Sequence, residues 1–308
     1  MAKINKLNLL GEFLLLFATV AWGTSFFILK DTIETVPTFY VLAIRFLLSS
    51  IVLALVFIKK LKKANKKLLF QGAFLGLLLT CAYVFQTIGL KYTTPSRNAF
   101  ITASYVIMTP FLYWIIAKCV PKSYSVVSAV LCIIGIGFIS FTGNGENGAN
   151  NFLGDALTFI SAIFYALQII FIGKFQSKNS DTGSLLVIEL STVSVLMIAL
   201  SLIFELPKGV AVYSLNLDQI INIVYLAVVC TLLAQLCMIY GQKFTTVNQT
   251  ALISSLEAVF GTFFSVLFKR ETLTEMLIIG FSVVFIAMLI NELKIDVLKP
   301  LIKNKSKK

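Results

Sequence analysis

Ten apolar stretches follow one another along the chain, and they limit its possible folds more than any other feature of the sequence. Each has about 20 residues, the length that a helix needs to cross the roughly 30 Å hydrocarbon core of a bilayer. The stretches are residues 10–29, 38–58, 68–90, 97–117, 124–142, 152–173, 183–204, 219–240, 248–268 and 274–293. Because the connections between them are short, we expect an all-α integral membrane protein with ten transmembrane helices and no soluble domain.

The composition agrees with a membrane location and excludes several kinds of chemistry. Apolar residues make up 58% of the 308 residues and charged residues only 13%, whereas about 25% of the residues of soluble proteins are charged. The chain has no histidine, which excludes Ser-His-Asp triads, histidine bases and histidine-ligated metals. Its five cysteines include no CxxC pair, so neither a disulfide framework nor a zinc site is indicated. We expect no metal and no cofactor.

Lysine and arginine are distributed unequally between the connections. With a cytoplasmic N-terminus, 19 of the 26 basic residues lie on the inner side, six lie on the outer side, and Arg45 lies within a stretch. Basic residues favour the cytoplasmic side, so we expect a multi-pass protein of the cell membrane with both termini in the cytoplasm and a basic tail at 294–308. The net charge of +12 then reflects topology and attraction to anionic lipid at the cytoplasmic face. Nucleic acid is not an expected partner.

The two parts of the chain resemble each other in sequence. Residues 82–104 match residues 234–256 without a gap, and each segment contains a Gly-x-Lys-aromatic-Thr-Thr block; nearer the start, Trp22 matches Tyr165. The predicted repeats are 1–143 and 152–293. Because each repeat has five helices, an odd number, the second is inverted in the membrane relative to the first. Inverted repeats are found in many secondary transporters, which bind their substrate near the midplane between the repeats.

Several short motifs stand at positions that are typical of a known family. They are Trp22-Gly23, Arg45-Phe46, Gly154-Asp155, the segment 251–257 (ALISSLE) and Lys269-Arg270-Glu271. Together with ten helices in two halves, they resemble the EamA-like permeases of the drug/metabolite transporter superfamily over essentially the whole chain. The resemblance implies a small-solute carrier, often an exporter of amino acids, metabolites or drugs. The family often has proline after the glutamate of the ninth helix, where this chain has Ala258, so no proline kink is expected there. Pro110 is the residue expected to bend the fourth helix.

Charged residues inside the apolar stretches need a reason, because each costs at least about 2.5–3.5 kcal/mol near the bilayer centre. Counted along the helices, Arg45 and Glu257 differ in depth by roughly 6 Å. We therefore expect an Arg45–Glu257 pair between the two halves that breaks and reforms as access alternates, with Glu189 as a second carboxylate nearby. The alternatives are a static pair that fixes helix packing, and an Arg45 that extends outward to the interface. Burial favours a neutral Glu257 and a nearby arginine favours a charged one, so Glu257 is also a candidate for proton coupling.

Polar and aromatic side chains in the stretches complete the predicted substrate site. They are Trp22, Tyr83, Gln86, Asn98, Tyr105, Gln168 and Gln235. Tyr83 and Gln86 share a helix face, and Tyr83 and Gln235 are partners in the repeat, which places one on each side of a central site. Two alternatives stay open. Amides and hydroxyls in membrane helices often bond only to neighbouring helices, and Trp22 is also suited to packing at the edge of the site.

The sequence thus predicts a secondary-active transporter, an exporter of small organic solutes by alternating access, acting as a monomer or homodimer and not as an enzyme. One alternative is a membrane-embedded enzyme that modifies lipids or prenyl groups. Such an enzyme needs clustered carboxylates for magnesium or a histidine base, and the stretches contain neither. The other alternative is a passive channel, which needs a continuous polar pore lining. No GxxxxGK[ST] motif is present, so ATP hydrolysis is not expected.

Overall fold

The computed structural model describes residues 6–118, 120–141, 151–176, 181–208 and 215–292, and all regular structure within these ranges is helical. The α-helices are α1 Lys6–Thr35, α2 Thr38–Leu61, α3 Lys66–Tyr92, α4 Pro95–Ala103, α5 Tyr105–Ala117, α6 Ser123–Phe141, α7 Asn151–Phe175, α8 Thr182–Phe204, α9 Leu217–Ala227, α10 Ala234–Phe244, α11 Val247–Ser255, α12 Glu257–Leu267 and α13 Glu275–Glu292. A short 3₁₀ helix covers Leu206–Lys208, and a π-helical turn covers Val228–Leu233. The predicted basic tail, 294–308, lies outside the described residues.

Each predicted apolar stretch falls on one helix or on two consecutive helices, and the expected all-α membrane fold is confirmed. Eight helical segments are long and apolar enough to cross a membrane, and two of the ten, at Ser123–Ile139 and Glu275–Ile290, are shorter apolar helices. Large apolar side chains such as those of Phe13, Leu55 and Phe70 are exposed on the outside of the bundle. Helices satisfy their backbone hydrogen bonds internally, which a lipid environment requires. The chain is therefore a multi-pass membrane protein.

Polar residues fix where several helices begin. Thr94 precedes α4 and accepts a hydrogen bond from the backbone N–H of Arg97, and Pro95 occupies the first helical turn, where its missing N–H is not needed. Thr246 precedes α11 and forms a reciprocal capping box with Gln249. Such caps satisfy backbone N–H groups that have no partner inside the helix. They set the ends of the helices that carry the site.

Helices of the first half pack mainly against helices of the second half. The main contacts join α3 to α7 and α8, α2 to α8, α1 to α10 and α12, and α6 to α13. Where α3 crosses α7, a Cβ added at Gly89 would lie 2.7 Å from the carbonyl oxygen of Gly154, and where α1 crosses α10, a Cβ added at Gly241 would lie 2.9 Å from that of Gly11. Small residues let membrane helices approach this closely. The two halves therefore interlock through two similar glycine crossings.

Two of the apolar stretches contain a break in the helix, and the breaks have the same conformation. Ser104 separates α4 from α5 with φ −60° and ψ −12°, and Leu256 separates α11 from α12 with φ −63° and ψ −11°. The two positions are partners in the sequence repeat. Pro110, the residue expected to bend the fourth stretch, lies instead inside α5, and the break in the ninth stretch contains no proline. The second break places Glu257 at the first position of α12.

Candidate functional site

A cavity lies between the two halves and is lined by side chains of α1–α5, α7 and α10–α12. Nine of the ten predicted site residues line it: Trp22, Arg45, Tyr83, Gln86, Asn98, Tyr105, Gln168, Gln235 and Glu257. Glu189 does not line it. The lining also includes Ser25, Tyr165 and Ser254, which the sequence did not single out. Tyr165 could have been predicted as a lining residue, since it is the repeat partner of Trp22.

Arg45 is the most tightly held charged group of the cavity. Only 1% of the residue is exposed. Its Nε donates to Thr231 Oγ1 at 2.5 Å, and its Nη2 donates to the Cys230 carbonyl oxygen at 3.3 Å and to the Tyr83 hydroxyl at 3.4 Å. The guanidinium carbon lies 5.1 Å from the centre of the Tyr83 ring, a favourable cation–π distance. Its Nη1 is buried and has no hydrogen-bond partner among the described residues, so one pair of donors is free for a ligand.

Two of these Arg45 partners, Cys230 and Thr231, lie in the π turn Val228–Leu233. In a π turn the hydrogen bonds run from residue i to i+5 instead of i+4, and such turns are frequent at functional sites. The carbonyl of Cys230 accepts from Trp22 Nε1 at 3.1 Å as well as from Arg45. The π turn thus supplies backbone and hydroxyl acceptors to two side chains of the cavity. Sequence reasoning missed it because its residues are an ordinary apolar run.

The expected ion pair between Arg45 and Glu257 is not formed in this structure. Among the described residues no ion pair joins the two side chains. The π turn and Tyr83 hold the guanidinium, and Glu257 lines the cavity together with Tyr105. Arg45 is buried and does not extend to the surface of the protein in this conformation. The two opposite charges nevertheless line one cavity, each contributed by a different half.

The amides of Gln86 and Asn98 bond to neighbouring helices while they line the cavity. Gln86 Nε2 donates to Thr102 Oγ1 at 3.1 Å, and Gln86 Oε1 accepts from the Tyr165 hydroxyl at 2.8 Å. Asn98 Nδ2 donates to Thr158 Oγ1 at 2.7 Å. These bonds fix the amide orientations. The bonds to Tyr165 and Thr158 join the two halves, whereas the bond to Thr102 joins α3 to α4 within the first half. Both amides therefore bond to neighbouring helices as well as lining the cavity.

Glu189 lies on α8 behind the cavity lining. The residue is fully buried, and one carboxylate oxygen accepts a hydrogen bond from Gln168 Nε2 at 2.5 Å. The other oxygen, Oε2, has no partner among the described residues. Glu189 is therefore connected to the cavity only through Gln168, which lines it.

A buried ion pair beside the α3–α7 crossing was not predicted. Arg97 Nη2 donates to Asp155 Oδ2 at 2.5 Å, and the Thr93 hydroxyl donates to Asp155 Oδ1 at 2.8 Å. Arg97 is 2% exposed and Asp155 3% exposed. The sequence placed Arg97 among the outer charges because it stands at the edge of an apolar stretch. The pair joins α4 to α7 and thus one half to the other.

Glu271 ties the segment after α12 to the start of α4. Its Oε1 accepts hydrogen bonds from the backbone N–H of Ser96 at 2.9 Å and from the Ser96 hydroxyl. Glu271 lies outside the membrane-spanning segments, and burial raises the pKa of its carboxyl above the ordinary value despite these donors. A carboxyl of this kind links the stability of the contact to pH.

Comparisons with known proteins agree with this architecture. The model of the EamA-like transporter family matches residues 9–141 and, a second time, residues 152–292. A protein of Archaeoglobus fulgidus named an uncharacterized transporter is 28% identical over 281 residues, which cover 91% of this chain and 85% of the relative. A protein of Clostridium kluyveri with the same name is 23% identical over 265 residues, which cover 82% of this chain and 83% of that relative. A solved crystal structure that is 14% identical has a TM-score of 0.68 and covers 92% of this chain and 96% of its own, a likeness in fold.

Proposed function

The chain belongs to the EamA-like transporter family, and on that premise we propose that it is a secondary-active carrier that exports small organic solutes by alternating access. The family and the names of the relatives point to transport across a membrane rather than to catalysis.

The observation that carries the proposal is the cavity between the halves. It brings Arg45 and Glu257 to one space from different halves, and the free Nη1 of Arg45 is a buried cationic donor without a protein partner. A buried donor that lacks a partner is costly, so a ligand that accepts its hydrogen bonds is favoured. A carboxylate or carbonyl of the solute fits Arg45, and an amino or amide group fits Glu257.

Alternating access fits the way the halves are built. Two inverted five-helix repeats, 1–143 and 152–293, would exchange conformations around a fixed central site. The support is the recurrence of the same features in both: a glycine crossing, a threonine cap and a helix break. The excess of lysine in alternate connections supports cytoplasmic termini in the cell membrane.

Proton coupling through Glu257 is part of the proposal. The carboxyl stands at the first position of α12, beside the break at Leu256, and lines the cavity. A change at this break would move the carboxyl between two environments. A group that holds its proton in one environment and loses it in the other couples proton movement to access.

The decisive experiment has two stages. The purified protein is first screened by thermal shift against amino acids, purines, polyamines and cationic drugs, and the stabilising compound is then used in liposomes. A carrier accelerates uptake of labelled solute when unlabelled solute is present on the far side, whereas a channel does not. Counterflow is the expected result, and uptake without it would overturn the carrier proposal.

Two matched variants test the coupling separately. Glu257→Gln and Glu189→Gln each remove one buried carboxylate, but only Glu257 lines the cavity. We expect transport by Glu257→Gln to lose its dependence on a pH gradient and transport by Glu189→Gln to keep it. If Glu257→Gln keeps the dependence, the coupling is wrong while counterflow still decides the carrier proposal.

A further inference from the structure

The connection between α2 and α3 carries the highest density of charge in the chain. Six of the nine residues at 59–67 (KKLKKANKK) are lysines, and all six are exposed. Within the described part of the chain none of them forms an ion pair. Like charges this close repel one another in the absence of a counter-charge. The basic hairpin, defined as residues 59–67, therefore presents an uncompensated positive surface.

An apolar groove runs along the protein directly beside the basic hairpin. One wall is formed by Leu61, Ala64 and Leu69, and the other by α8 from Val187 to Leu196. Leu61 and Ala64 are partly buried while the lysines around them are exposed, so the hairpin turns its apolar residues toward the groove. The groove extends along α8 for about 14 Å, close to the roughly 15 Å of hydrocarbon in one leaflet.

The acidic residue at the start of α8 does not neutralise the basic hairpin. Asp181 caps this helix and accepts hydrogen bonds from the backbone N–H and the hydroxyl of Ser184. Lys60 instead lies over the ring of Phe57, 5.8 Å from its centre. The counter-charge of the hairpin must therefore come from outside the described chain.

We infer that the basic hairpin and the adjoining groove together bind an anionic glycerophospholipid of the inner leaflet. The lipid phosphate contacts the lysines, and one acyl chain lies in the groove along α8. An amphiphile with this charge and length matches both parts of the surface at once, whereas a soluble anion would leave the groove empty. The inference rests on the proposed orientation, which places the basic hairpin in the cytoplasm.

Lipid-dependent stability tests the site without any measurement of transport, so it can fail independently of the proposed function. Melting temperatures are recorded with phosphatidylglycerol and with phosphatidylcholine added to the detergent-purified protein. We expect a higher melting temperature in phosphatidylglycerol. The variant Lys62→Gln/Lys63→Gln/Lys66→Gln/Lys67→Gln should lose at least half of this difference. Its melting temperature in phosphatidylcholine serves as the control for folding.

Two further variants separate a bound lipid from diffuse attraction. Lys303→Gln/Lys305→Gln/Lys307→Gln/Lys308→Gln makes the same change in net charge and should keep the full preference for phosphatidylglycerol. Val195→Trp fills the groove without altering charge and should reduce the preference. If the hairpin and tail variants lose the preference for phosphatidylglycerol equally, the effect is one of net charge and the lipid site is wrong. If Val195→Trp keeps the full preference, the acyl chain does not lie in the groove.

Discussion

At the scale of single residues, Arg45 organises one wall of the cavity. Its guanidinium bonds to Thr231, Cys230 and Tyr83 through two of its nitrogens and leaves the third free. An ammonium group has no planar fork and makes such contacts as a single point charge. The planar fork of Arg45, and not its charge alone, therefore allows these contacts.

Arg45→Lys should insert and fold but transport poorly. It keeps the positive charge but lacks the planar fork that reaches Thr231, Cys230 and Tyr83 at once. We expect transport to fall by about tenfold or more, with protein abundance close to that of the wild type. The matched control is Arg270→Lys, in an ion pair with Asp31 that is half exposed and so contributes little. A fully active Arg45→Lys would argue against a role of the fork in binding.

Glu271 should make stability depend on pH. Because burial raises its pKa in the folded protein, the folded state binds the proton more tightly than the unfolded state does. This contribution to the free energy of unfolding is therefore complete at low pH. It is lost as pH rises from the ordinary pKa of a glutamate through the raised pKa of Glu271. Glu271→Gln should remove this component from melting temperatures recorded as pH rises from the ordinary pKa of a glutamate, and Glu275→Gln, at an exposed position, should not. Superimposable profiles for wild type and Glu271→Gln would contradict this.

Most lining residues were predictable from sequence because a polar side chain within an apolar stretch stands out. Glu257, Gln235 and Gln86 are examples, and all three line the cavity. The Cys230 carbonyl, one of the three acceptors of Arg45, was not predictable, since every residue has a carbonyl and only the local geometry frees this one. The partner of Arg97 was missed because a residue at the end of a stretch looks like part of the connection.

At the scale of helices, the π turn Val228–Leu233 contains one residue more than a regular α-helical turn would need at the same place. Deletion of Val229 should convert it to α-helix and leave the flanking helices in register. We expect a protein that folds but has lost the acceptor geometry for Arg45 and Trp22, with transport strongly reduced. Melting temperature and counterflow measure the two effects.

Deletion of Ile163 in α7 is the corresponding control. That helix has no π turn to absorb the loss, so every residue on one side rotates by about 100° and the contacts with α3 are broken. We expect this variant to be unfolded or degraded. If the Val229 deletion were equally unstable, the π turn would be required for folding rather than for the site alone.

The helix breaks lay beyond sequence reasoning. Proline is the residue type that signals a kink, but Pro110 sits within α5 and the breaks are at Ser104 and Leu256. Neither residue type is a helix breaker. The local sequence therefore does not mark their positions.

At the scale of the whole molecule, the two halves cannot be separate folding units. The main partners of α1, α2, α3 and α6 all lie in the second half. Expressed alone, either 1–143 or 152–308 should be degraded or aggregate, because its small-residue faces have nothing to pack against. Expressed together, the two pieces should be purified as one complex, and co-purification with a tag on one piece measures this. A stable single half would contradict it.

The π turn has a consequence for the history of the chain. The gapless match between the halves begins at Ala82 and Ala234, and Ala234 is the first residue after the π turn, whereas α3 is regular throughout. A residue inserted into one copy of a duplicated segment shifts everything before it by one position, which ends such a match at the insertion. In evolutionary terms, one residue gained by the second copy after duplication, or lost from the first, would leave this pattern.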